Sequence, residues 1–140
     1  MDIPDALELR VIDSKLPQPA GLSVLVVEEH ALIALDLETM LLELGAGQVT
    51  IANSVEHALH LLATQTFDAA FLDVWLGEKT SIPVAVALRD KGVPFAIATG
   101  YDTAIDIPAE FRTGPHISKP YKVQDISGVW QALVDAGRSH

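Results

Sequence analysis

Five polar residues stand where apolar runs end abruptly, and their types belong together chemically. Glu28 and Glu29 follow the run 22–27, Asp73 closes the run 67–73, Thr99 closes 94–99, and Lys119 follows 116–118. Carboxylates crowded into one crevice repel each other unless a cation joins them, and hard oxygen donors with water suit Mg²⁺. A lysine adds a positive point charge and a threonine hydroxyl adds a hydrogen bond. A transferring phosphoryl group, whose charge lies on its equatorial oxygens, needs such a set. One carboxylate can itself attack phosphorus to give an aspartyl phosphate. Asp73, at the end of Phe71-Leu72-Asp73, is the candidate for that step.

These residues meet only if the segments before them lie side by side. Leu22-Ser23-Val24-Leu25-Val26-Val27 is a short, β-rich apolar run, as expected of a strand buried on both faces. Residues 31–44 then carry apolar side chains at helical spacing (Leu32, Leu35, Met40, Leu44), with Asp36, Glu38 and Glu43 for the wet side, and Gly45 and Gly47 close the helix. Residues 48–52 read as a second strand, and Asn53 opens a second helix with Glu56 at capping-box spacing. Strands over 67–73, 94–99 and 116–118, a helix over 82–91, and a closing amphipathic helix over 123–136 with Ile126, Val129, Trp130 and Leu133 complete the series. Within 100–115 only Pro108–Arg112 suggests a turn or two of helix.

Alternating strands and helices imply parallel pairing through crossover helices on both faces. The expected fold class is α/β: a flavodoxin-like, doubly wound, five-stranded parallel sheet in the order 2-1-3-4-5, with the fourth helix short or irregular. Ligands of such sheets bind beyond the carboxyl ends of the strands, which is where the five polar residues fall. Residues 1–20, with Pro4, Pro17 and Pro19, read as an N-terminal arm, and residues 21–140 as the domain.

The 140 residues suit one domain, and 49% hydrophobic against 20% charged residues leaves ample material for a core. A net charge of −10 argues against nucleic acid or an anionic membrane as a direct partner. Without cysteine there is neither a disulfide framework nor a thiolate metal site. The first residues lack a signal peptide's pattern and no apolar run is long enough to span a bilayer, so a soluble, cytoplasmic protein is expected.

The chain resembles the receiver domain of two-component response regulators over about residues 22–137. The resemblance rests on Val26-Val27-Glu28-Glu29, Leu72-Asp73-Val74, Ala98-Thr99-Gly100 and Ser118-Lys119-Pro120-Tyr121, in that order. Residues 94–101 are also similar to a receiver subgroup whose fourth strand reads Phe-Ala-Thr-Gly-x-Tyr, with Ile97 standing where that motif has Phe. The resemblance implies that Asp73 is the phosphoacceptor and that Glu29 and Asp73 hold Mg²⁺ with the backbone carbonyl of Trp75, Glu28 acting indirectly. It implies that Lys119 contacts the phosphoryl group, that Thr99 moves toward it, that His116 takes the aromatic switch position, and that the Lys119–Pro120 bond is cis. The first helix is then the docking face for a sensor histidine kinase or a histidine phosphotransfer protein.

Two residues depart from the family pattern. Glu28-Glu29 stands where Asp is usual, one methylene longer, and Trp75 stands where a polar residue is common. Trp75 either covers apolar surface, as most aromatics do, or overhangs the site with Tyr101 and shields an acyl phosphate from water. His30 is a poor ligand for Mg²⁺, and His57 and His60, three apart on one helix, have no third ligand in view.

The reading is a stand-alone receiver in a phosphorelay, not an enzyme with external substrates, whose output is an altered contact with a downstream protein target through the fourth strand, segment 102–114, the fifth strand and the last helix. Trp130 on that helix suggests a homodimer. The rival is a pseudo-receiver that binds partners without phosphate. A phosphohydrolase is disfavoured because no second acid follows closely in Val74-Trp75-Leu76-Gly77.

Overall fold

The computed structural model describes residues 21–99, 115–119 and 121–138, with Thr99 and Arg138 described in backbone only. The elements are β1 (Ser23–Val27), α1 (Ala31–Glu43), β2 (Gln48–Ala52), α2 (Val55–Thr64), β3 (Ala69–Asp73), a hairpin of β4 (Trp75–Leu76) and β5 (Lys79–Thr80), α3 (Ile82–Asp90), β6 (Phe95–Thr99), β7 (His116–Ser118) and α4 (Val123–Arg138). The main sheet runs β2-β1-β3-β6-β7 and all its pairs are parallel. This is the flavodoxin-like order expected, with β6 and β7 as the fourth and fifth strands. The arm (residues 1–20), segment 100–114 with Tyr101, and Pro120 with its peptide bond lie outside the described residues.

Side chains of a strand alternate between its two faces, and here the alternation sorts the core into two clusters. Val24 and Val26 of β1, with Ala69 and Phe71 of β3 and Ile117 of β7, pack under Ala34, Leu37 and Leu41 of α1 and Ile126, Trp130 and Leu133 of α4. Leu25, Val27, Ala70, Leu72 and Ile97 face the other way, against Ala58 and Leu62 of α2 and Val84 and Leu88 of α3. Both faces of the sheet are therefore covered, as its continuous apolar strands require.

Three local expectations need correction. The face of α1 that meets the sheet is Ala34, Leu37 and Leu41, whereas Leu32 and Leu35 are 81% and 49% exposed; Met40 and Leu44 are half-buried beside that face. This helix carries leucines on more than one side, so spacing alone did not single out the inward one. The cap of α2 is Ser54, whose hydroxyl accepts from the His57 N–H, one residue later than Asn53; Glu56 instead pairs with Lys79. Trp130 is 2% exposed inside the core and offers no surface to a second copy.

Helix α1 stops in a Schellman turn: Ala46 N–H donates to Leu41 O and Gly45 N–H to Leu42 O, with Gly45 at φ +110° where only glycine is unstrained. The hairpin β4–β5 was not foreseen. Leu76 pairs with Lys79 across the two-residue loop Gly77-Glu78, with Gly77 at φ +67°. Among the described residues no helix is long and apolar enough to cross a membrane.

Candidate functional site

The site follows from the same alternation. Glu28 lies two residues beyond Val26, Asp73 two beyond Phe71, and Lys119 two beyond Ile117, so all three leave the sheet on the α1/α4 face. The Glu28 N–H still donates to Ala52 O, which extends the β1–β2 ladder by one residue and aims the Glu28 side chain. At the carboxyl edge of the sheet the Lys119 ammonium lies 2.6 Å from Asp73 Oδ2 and 2.8 Å from Glu28 Oε1. Glu28 is 1% exposed, Asp73 is buried and Lys119 is partly buried. The second oxygen of Glu28, Oε2, accepts from the His30 N–H at 3.1 Å and lies 3.2 Å from His30 Nδ1.

One cation thus serves two buried carboxylates, and the electrostatics divide them. Burial raises the Glu28 carboxyl, but the hydrogen bonds from Lys119 and His30 and the lysine charge outweigh it, so Glu28 is held below the usual range. Burial raises Asp73, Lys119 offsets this only in part, and the Glu28 charge pushes it up further. Burial works against the Lys119 ammonium, yet its hydrogen bonds to Asp73 and Glu28 leave its pKa raised. Tyr121 lies beside this cluster, half-buried, with its phenol raised first by burial and then by the Glu28 and Asp73 charges. Residue type and spacing do not single out Tyr121; its place just after Lys119-Pro120 is the only signal.

The remaining candidates are placed as follows. Glu29 is exposed, and its Oε1 accepts from the Gly77 N–H at the tip of the β4–β5 hairpin. Trp75, on β4, is partly buried against the α2/α3 cluster. Thr99 ends β6 opposite Ser118, and its side chain lies outside the described residues. His116 is exposed on β7, paired in register with Ile97. His30 is exposed and bound to Glu28, while His57 and His60 lie exposed on α2. Among the described residues no three acidic, imidazole or thiol groups converge into a metal-holding cluster.

Comparison with known proteins shows the family and agrees with the fold. A family model described as the response regulator receiver domain matches residues 24–130. The chain belongs to the response regulator receiver family. Receivers are signalling modules of two-component systems, typically phosphorylated and generally Mg²⁺-dependent, rather than enzymes that turn over external substrates. This receiver is 27% identical over 108 residues to a sensory transduction protein LytR of Staphylococcus haemolyticus (strain JCSC1435), covering 75% of this chain and 42% of that protein. The chain therefore spans about two-fifths of the length of that curated relative. It is 32% identical to SdrG from Sphingomonas melonis Fr1, whose solution structure superposes with a TM-score of 0.69 over 84% of this chain and 98% of that one. A CheY-like receiver domain from Methylobacillus flagellatus, 23% identical, gives a TM-score of 0.71 over 81% of this chain and 99% of that one, and shows the fold alone.

The donor set suits a hard divalent cation. Two buried carboxylates share one lysine, which leaves the cluster with a net negative charge, and the Glu28 charge raising Asp73 records the uncompensated repulsion.

Proposed function

We propose that this receiver is a phosphorylation switch whose acceptor is Asp73. In the transfer, an Asp73 carboxylate oxygen attacks phosphorus of a phosphohistidine on a sensor histidine kinase or phosphotransfer protein. The P–N bond breaks, the imidazole leaves with the electron pair, and an acyl phosphate forms. The observation that carries the reading is the Lys119 ammonium held 2.6 Å from the Asp73 carboxylate in a buried acidic cluster. There it orients the acceptor before transfer and meets the phosphoryl oxygens after it. Asp73, Glu28 and the Trp75 carbonyl are the groups that would hold Mg²⁺, which when bound neutralises the carboxylates and the charge on the phosphoryl oxygens.

Thr99 and His116 are the proposed switch residues, Thr99 on β6 beside the acceptor strand and His116 on β7, the next strand out. Trp75 and Tyr101 shield the acyl phosphate. Leu32 and Leu35, exposed on the first turns of α1 just after the acidic pair, supply an apolar docking face for the phosphodonor protein. Output passes through an altered contact with a downstream protein target over β6, segment 102–114, β7 and α4.

The test is intact mass after incubation with acetyl phosphate and Mg²⁺, with Asp73→Asn as control. A gain of one phosphoryl group in the wild type and none in the variant is expected. No gain, even with a candidate kinase added, refutes the reading. One observation favours a second reading, a pseudo-receiver that signals without phosphate: the second acid of the Glu28-Glu29 pair is bound to Gly77 and not to the acidic cluster. A calorimetric Mg²⁺ titration without heat change would favour it.

A further inference from the structure

The Glu28-Glu29 pair is split where β1 ends. Glu28 leaves the sheet on the side of Val24 and Val26, while Glu29, in the bend that follows β1, turns instead to the β4–β5 hairpin. That hairpin immediately follows the acceptor Asp73 and Val74. Glu29 Oε1 accepts the Gly77 N–H at its tip, 48 residues away in sequence. The hairpin is tied down at two other points: Lys79 of β5 pairs with Glu56 of α2, and Ser81 N–H donates to Val74 O at 2.8 Å. Its first strand carries Trp75, packed against the α2/α3 cluster. The Gly77–Glu29 bond is therefore the fastening on the side of the β1–α1 loop.

We propose that Glu29 is a positioning residue: it pins the hairpin that carries Trp75 beside Asp73, and leaves the cation to Glu28 and Asp73. The extra methylene of glutamate has a use here, since it reaches across to a backbone donor on the next loop. The Gly77 amide offers a single N–H, which needs an acceptor but no negative charge, so an amide oxygen serves as well as a carboxylate. A cation ligand, by contrast, needs the charge. This inference rests on the reading of a Mg²⁺-dependent acceptor at Asp73, and its test is read on the hairpin itself.

The experiment compares wild type, Glu29→Gln, Glu29→Ala and Glu28→Gln in the full chain. The readouts are amide hydrogen exchange at Gly77 by NMR, Trp75 fluorescence and the Mg²⁺ dissociation constant. Loss of a charge-assisted bond in Glu29→Ala should speed Gly77 exchange by about ten- to a hundredfold and shift the Trp75 emission. Glu29→Gln should keep both near wild type, and its Mg²⁺ affinity within about threefold, whereas Glu28→Gln weakens Mg²⁺ by more than about tenfold. In wild type, saturating Mg²⁺ should leave Gly77 protected. The proposal is overturned if Glu29→Gln loses Mg²⁺ as Glu28→Gln does, if Mg²⁺ frees the Gly77 amide, or if Glu29→Ala leaves its exchange unchanged. Failure of phosphoryl gain at Asp73 would refute the acceptor reading alone, since Gly77 exchange in metal-free protein still decides the latch.

Discussion

Replacing Lys119 by methionine tests the charge logic of the site directly. The ammonium lies 2.6 Å from Asp73 Oδ2 and 2.8 Å from Glu28 Oε1, and the two carboxylate side chains are 11% and 1% exposed. With lysine the cluster carries one net negative charge; with methionine it carries two and no internal counter-charge. Removing one partner of a buried ionic group costs about 3–5 kcal/mol. Because the Lys119 side chain is one-fifth exposed and Asp73 can take a proton instead, the lower end, about 3 kcal/mol, is expected. For a domain of this size that is a fall in Tm of about 6–12 °C. The assay is thermal unfolding followed by circular dichroism across pH, with and without Mg²⁺. The sign of the pH effect follows from Asp73, whose folded pKa is already raised. A raised carboxyl pKa gives stability that is present in acid and lost as pH rises through the folded value. The gap between variant and wild type should therefore be widest near neutrality and narrow as pH falls and Asp73 protonates. Mg²⁺ should raise the midpoint of the variant more than that of the wild type, because it supplies the missing positive charge. A variant midpoint within about 2 °C of wild type at neutral pH, or a gap that is independent of pH, would refute the reasoning.

Three further outcomes follow from the same geometry. Asp73→Asn should raise the unfolding midpoint near neutral pH, because it removes the charge that repels Glu28 while leaving Lys119 a partner; the advantage should fade as pH falls through the raised pKa of Asp73, and a lowered midpoint would contradict it. Leu37→Ala should cost about 2–5 kcal/mol in urea unfolding, whereas Leu32→Ala, at an exposed position, should change stability by no more than about 0.5 kcal/mol. Trp75→Asn should shorten the lifetime of the acyl phosphate measured by loss of phosphoryl mass after the donor is removed, and an unchanged lifetime would discard the shielding role.

Much of the fold was legible because the strands are short, apolar and spaced by helical stretches; the order of the main sheet and the strand 116–118 follow from that pattern. What spacing could not resolve was orientation. In α1 the sheet-facing set includes Ala34, a residue too small to weigh in a hydrophobic pattern, and leucines occur around much of the helix. The hairpin went unread because its strands are two residues each, below the length at which alternation is visible; the only signal was Gly77 followed by a polar residue between Leu76 and Lys79. The cap of α2 fell one residue late because Asn53 and Ser54 are both good cap formers, and Glu56 at the right spacing from Asn53 was engaged by Lys79, a contact set by tertiary structure.

The acidic pair shows where the site was legible and where it was not. The residue types after β1 and their place at the carboxyl edge were visible, and so was their chemistry with Asp73 and Lys119. Which of the two glutamates stands beside Asp73 and Lys119 was also encoded, but in parity, not in motif. Val26, Phe71 and Ile117 share one face, so their neighbours two residues on, Glu28, Asp73 and Lys119, share it as well. Counting by twos from these three core residues singles out Glu28. Glu29, in the bend beyond the strand, meets the Gly77 N–H of the hairpin. Two adjacent acids of the same type thus have different neighbours: Glu28 lies beside Lys119 at the sheet edge, while Glu29 accepts from the hairpin that follows Asp73 and Val74. A single substitution at either position should therefore leave the other's contacts in place.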